Sequence, residues 1–100
     1  WASGDAGNDL VYGDGNNSAF PGPDTLTGGN GTDEIYGGAG NDLLFNADTG
    51  SNLFHGGTDN DLYQFVATGN SANTAQENLN EGSDRVEFTA TAGDDQIHVD

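Results

Sequence analysis

Eight positions carry the side chains best suited to chemistry: Asp9, Asp24, Asp33, Asp42, Asn52, Asp61, Asp84 and Asp95. Two residues after each stands an apolar side chain, in order Val11, Leu26, Ile35, Leu44, Phe54, Tyr63, Val86 and Ile97. Only Asn52 breaks the acidic series, and nothing breaks the apolar one. A carboxylate repeated in register offers hard oxygen ligands. Those suit Ca²⁺, which accepts about six to eight oxygens in a flexible shell. Mg²⁺ fits less well, because it holds its waters and demands octahedral geometry.

The charge balance points the same way. The 100 residues hold 17 Asp plus Glu against one cation, Arg85, for a formal net charge of −16. Nucleic acid is excluded as a partner, since its affinity rests on Lys and Arg meeting phosphates. Anionic membranes and anionic polysaccharides are disfavoured for the same reason. Apolar residues make up 32% and Gly 17 of the 100. Low hydrophobicity with high net charge describes a disordered chain unless something offsets the charge. With no Cys there are no disulfides and no thiolate zinc sites, so a metal is the expected staple. No stretch is apolar enough to insert into a membrane. The chain opens on Trp1 rather than Met and is expected to be a segment of a longer protein.

The elements that must position these carboxylates are nine-residue repeats. Residues 28–36 and 37–45 both read Gly-Gly-x-Gly-x-Asp-x-apolar-x. Residues 56–64 depart only at the fourth place, where Asp59 stands, and residues 4–12 only at the second, where Asp5 stands. Weaker copies centre on Asp24, Asn52, Asp84 and Asp95. Residues 13–21, 46–49 and 65–81 interrupt the array and are expected to bulge as loops, where insertions cost little.

A unit with one central apolar place has no helical period. Its last three positions alternate as a short half-buried strand, and its first six are turn formers able to take φ > 0. Strand plus turn makes half a coil, so alternate repeats stack on the same side, roughly 4.8 Å apart. The eighth-position residues then form two inward apolar ladders. The sixth-position carboxylates line up at about the same spacing, where each bare pair repels by about 3 kcal/mol at an effective dielectric near 20. A divalent cation between them reverses the sign.

These blocks resemble the RTX family, the repeats-in-toxin or haemolysin-type calcium-binding repeats. The resemblance covers residues 4–64 well and 79–98 weakly. It implies an all-β, right-handed parallel β-roll (a β-solenoid) of nonapeptide repeats, with loop insertions and a C-terminal capping segment. Residues 1–64 would be the roll. Residues 65–100 would hold its end, an inserted loop and a cap or second short array. The resemblance also implies calcium between repeats n and n+2, with about four ions in the roll. Side-chain pairs would be Asp9/Asp33, Asp24/Asp42 and Asp42/Asp61, with Asp33/Asn52 weaker. Backbone carbonyls of Asp5, Gly7, Gly29, Gly31, Gly38, Gly40, Gly57 and Asp59 would complete the shells. Asp84 and Asp95 keep the motif beyond the long insertion.

Other chemistries fit poorly. Phosphate cradling by the Gly columns lacks a Lys and meets a negative field. Asp59-Asn-Asp61 begins like an EF-hand, but its later Gly and Glu do not follow. His55 and His98 fall at the ninth position and read as outward strand residues rather than zinc ligands. Tyr12, Tyr36 and Phe45 share that position, where an outward row could meet sugars or a partner but more simply covers turn edges. A Thr-x-Thr array for ice is limited to Thr25 and Thr27. Short coils offer no deep pocket, so no catalysis is expected in this segment, although a parent protein could be an enzyme. The expected role is a calcium-switched folding module of a secreted or cell-surface protein, exported through type I secretion machinery. Four ions would bring the formal charge from −16 to −8. The alternative is a structural segment of an extracellular adhesin, filament or surface layer, associating end to end with copies of itself.

Overall fold

The computed structural model describes residues 1–14, 22–46, 50–68, 72–76, 82–92 and 96–99. Among them the chain forms strands only. In chain order these are β1 (Ala2–Ser3), β2 (Leu10–Tyr12), β3 (Thr25–Thr27), β4 (Glu34–Ala39), β5 (Leu43–Asn46), β6 (Leu53–Thr58), β7 (Leu62–Thr68), β8 (Ala72–Gln76), β9 (Arg85–Ala92) and β10 (Gln96–Val99). Each repeat is too short to turn back on itself and pair with its neighbour. The chain therefore crosses to the opposite layer at every turn, and only strands two apart pair. The odd strands form one parallel sheet, in the order β1-β3-β5-β7-β9. The even strands form the other, in the order β2-β4-β6-β8-β10. This is the parallel β-roll that the repeat implies.

The eighth-position residues make the core, as the alternation requires. Val11, Ile35, Phe54 and Ala75 stack in register on the even sheet, and Leu26, Leu44, Tyr63 and Val86 on the odd one. All are buried except Val86, which lies on the outermost odd strand. Phe65 is also buried, its ring centroid 5.0 Å from that of Phe54. Tyr63 buries a hydroxyl as well as a ring, and that oxygen accepts the Gly56 N–H at 2.6 Å. Parallel strands must be covered on one face by something apolar. Here each sheet covers the other through a layer one side chain deep.

Residues 65–81 differ from the expected inserted loop. β7 runs without a break through Gln64 to Thr68, and residues 72–76 form β8, which pairs with β6 and β10. An extra strand of the roll is hidden there, with Asn73 in the sixth position and Ala75 in the eighth. Its residues lack the Gly-rich turn and the acid, so the motif does not register. Its inward positions still carry small side chains that the roll accepts. No sheet boundary falls at residue 64. β9 continues on β7 and β10 on β8. Most of the insertion at 13–21, and residues 47–49, lie outside the described residues.

Candidate metal columns

The sixth-position residues form two columns, one along each edge of the roll. One holds Asp24, Asp42, Asp61 and Asp84, and the other Asp9, Asp33, Asn52 and Asn73. The same bond builds both. The Oδ1 of each member accepts the backbone N–H of the member one coil earlier on the same edge. Asp42 accepts from Asp24 at 2.8 Å, Asp61 from Asp42 at 2.8 Å, and Asp84 from Asp61 at 2.8 Å. On the other edge Asp33 accepts from Asp9 at 2.9 Å, Asn52 from Asp33 at 2.8 Å, and Asn73 from Asn52 at 3.0 Å. One oxygen per carboxylate is thus spent on holding the turns in register.

The second oxygen is left over. Asp9, Asp42 and Asp61 each have a buried Oδ2 with no hydrogen-bond partner among the described residues. An unpaired buried carboxylate oxygen is costly. Asp42 and Asp61 are each 2% exposed. Burial, chiefly, pushes the Asp42 carboxyl above the usual range, and nearby Asp24, Asp14 and Asp59 push it further. Burial also lifts Asp61 to about 6, with Asp42, Asp84 and Asp59 adding to the rise. In both cases a backbone N–H works the other way. The only Arg, Arg85, is bound to Glu87 on its own strand at 2.9 Å. No cationic side chain therefore neutralises the columns.

The space beside these oxygens fits a cation. A methyl carbon at Gly37 would lie 2.4 Å from the Gly56 carbonyl oxygen and 2.5 Å from Asp42 Oδ2. One at Gly13 would lie 2.4 Å from the Gly37 carbonyl and 2.8 Å from Asp24 Oδ2. One at Gly4 would lie 2.5 Å from the Gly28 carbonyl and 2.7 Å from Asp9 Oδ2. The first-position glycines thus leave room where a carboxylate oxygen and a carbonyl oxygen converge. That pairing of hard donors suits Ca²⁺. No group of three or more His, Cys, Asp or Glu side chains arranged for a metal occurs among the described residues, so an ion here needs backbone oxygens.

The second- and fourth-position residues named for their carbonyls, Asp5, Gly7, Gly29, Gly31, Gly38, Gly40, Gly57 and Asp59, all have positive φ. In this conformation the turn can aim its carbonyls sideways. The Asp5 carbonyl accepts the Asn30 N–H at 2.8 Å, so one of its lone pairs already serves the turn ladder. The converging first-position carbonyls of Gly28, Gly37 and Gly56 were not singled out by sequence reasoning. Nor was Asp14, whose Oδ2 accepts the Ala39 N–H at 2.7 Å. Fifth-position side chains add a similar bond on each edge. Asn8, Asn41 and Asn60 accept the N–H of Thr32, Asn60 and Ser83 at 3.1, 2.9 and 2.7 Å. The recurrence of Asn one residue before the acid was its available signal.

The two late motif copies part company. β9 pairs Tyr63 with Val86, which brings Asp84 into the acidic column beside Asp61. β10 pairs Ile97 with Asn73. The position following Asn73 in register is therefore held by an apolar residue. Asp95 itself lies outside the described residues. On the outer face of the even sheet, Tyr12, Tyr36 and His55 form a ring stack. Centroids are 5.0 and 4.3 Å apart and the planes nearly parallel, so the inner ring faces are turned to one another rather than to solvent. Phe45, on the other sheet, packs on Trp1.

The family model described as the RTX calcium-binding nonapeptide repeat (4 copies) matches residues 1–20 and 21–44. No curated protein and no solved structure matches the chain. The matched residues contain four repeats, with Asp33 stacked on Asp9 in one column and Asp42 on Asp24 in the other. In repeat, fold and match alike, residues 1–44 of this chain are similar to the RTX calcium-binding repeat family, and the same parallel roll runs on through the later strands.

Proposed function

We infer that this chain is a calcium-switched folding module of a larger secreted protein and performs no catalysis itself. The observation that carries the reading is the pair of buried, unpartnered Oδ2 atoms of Asp42 and Asp61, stacked in one column with no cationic side chain to meet them. Without cations the columns oppose folding. With Ca²⁺ between stacked turns, the same oxygens become ligands and the binding free energy becomes folding free energy. Such a chain stays unfolded where calcium is scarce and folds where it is plentiful, which suits passage through type I secretion machinery and ordering outside the cell. The rungs that supply two carboxylates are Asp9/Asp33, Asp24/Asp42, Asp42/Asp61 and Asp61/Asp84, which supports about four ions. The test is circular dichroism of the chain with excess chelator and after calcium is restored. β-Structure should appear only with calcium, and ordered β-structure persisting in chelator would refute the reading.

A second reading is structural. Leu10 and Tyr12 on β2 are 57% and 42% exposed, and exposed apolar side chains on a parallel sheet favour association in an adhesin, filament or surface layer. Sedimentation in calcium separates the two: a monomer at every concentration supports the folding module alone.

A further inference from the structure

The two edges of the roll are not chemically alike. One column is four aspartates. The other begins with Asp9 and Asp33, continues with Asn52 and Asn73, and meets Ile97 in the next strand. Asn52 and Asn73 are each 2% exposed, as buried as Asp42 and Asp61. Their side chains make the same register bond as the aspartates. Which amide atom points where follows from that bond. The N–H groups of Asp33 and Asn52 need an acceptor, so the Oδ1 atoms of Asn52 and Asn73 must face them. What remains in the place of the carboxylate's second oxygen is Nδ2, a donor. Both Nδ2 atoms are buried and make no hydrogen bond among the described residues. A third amide joins the cluster: Asn46, buried at the end of β5, donates its Nδ2 to Asn73 Oδ1 at 3.3 Å.

We propose that Asn52 and Asn73 form a cation-free rung, which keeps the stacking bond of the calcium sites and excludes the ion. Two amide donors facing the gap repel a divalent cation and suit a water molecule instead. The rung carries no charge, so it has no repulsion for calcium to relieve. Calcium loading is then lopsided. Three two-carboxylate rungs lie on the aspartate edge and one on the other, and the C-terminal half of the asparagine edge holds without an ion. This rests on the calcium reading above and goes beyond it, because it assigns where in the roll calcium does not bind.

The test is the number of ions bound in saturating calcium, counted by native mass spectrometry and by isothermal titration. The double variant Asn52→Asp with Asn73→Asp turns positions 33/52 and 52/73 into two-carboxylate rungs and should bind two more ions than the wild-type chain. The reciprocal variant, Asp61→Asn with Asp84→Asn, places an amide pair on the opposite edge. It should stay folded in calcium and bind at least one ion fewer. An unchanged count in the first variant, or in the second if the first fails to fold, would overturn the proposal. Failure of the broader reading looks different, because the wild-type chain would then take up no calcium at all.

Discussion

Asp61→Asn gives the sharpest test of the account of the columns. Asp61 is buried, its Oδ1 holds the Asp42 N–H at 2.8 Å, and its Oδ2 has no partner. At about 1.36 kcal/mol for each pH unit, a rise from 3.8 to about 6 penalises the ionised form in the calcium-free fold by about 3 kcal/mol. The sign follows from proton counts. Between pH 4 and about 6 the folded chain binds more protons at Asp61 than the unfolded chain. Stability without calcium therefore falls as pH rises through that window, and the full penalty applies at neutral pH. Asparagine removes the charge and keeps the acceptor, as Asn52 already does toward the Asp33 N–H at 2.8 Å. In chelator at pH 7 the variant should be more ordered than the wild-type chain by up to about 3 kcal/mol, less the cost of a new buried N–H pair. Its dependence on pH should flatten, and in calcium the order should reverse because a ligand is gone. The assay is urea unfolding followed by circular dichroism at pH 5 and pH 7, in chelator and in calcium. If chelated Asp61→Asn is no more ordered than wild type at pH 7, burial of that charge is not what holds the calcium-free chain unfolded.

Two further predictions concern the turns. Gly31 has φ +144°, and a methyl there would fall 1.6 Å from the Gly7 carbonyl oxygen, whereas Gly7 (φ +128°) has nothing within 4 Å. Gly31→Ala should therefore abolish folding even in saturating calcium, while Gly7→Ala should cost about 1–2 kcal/mol, both read from the calcium midpoint of folding. Asp59 occupies a glycine place with φ 79°. Asp59→Gly should relieve about 1 kcal/mol of backbone strain and also remove a charge near Asp42 and Asp61. The calcium midpoint should fall, and a rise would show that the Asp59 side chain assists the ion.

The repeat unit by itself determined the coil. Gly-rich turns followed by one inward apolar residue admit little else, and the inward positions of Leu26, Ile35, Leu44 and Phe54 follow from period-two alternation alone. The same spacing put the acids at the turn edges. What it left open was which edge Asp84 joins, because that depends on the number of half-coils between it and Asp61. Residues 72–76 carry no acid and no Gly-rich turn, yet they form a strand, and this one extra half-coil sends Asp84 to the edge of Asp61 rather than across from it. Backbone pairing within a stack asks only for a side chain of acceptable size inside, so Asn73 and Ala75 suffice there without leaving a pattern. The end of the stack was illegible for a related reason. The backbone register sets Ile97 opposite Asn73, and one short motif copy does not fix that register. The aspartates could be named from sequence as a set. Only the stacking added Asn73 to one edge and Asp84 to the other, leaving one edge fully acidic and one half amide, because that addition is a property of neighbouring turns rather than of any single repeat.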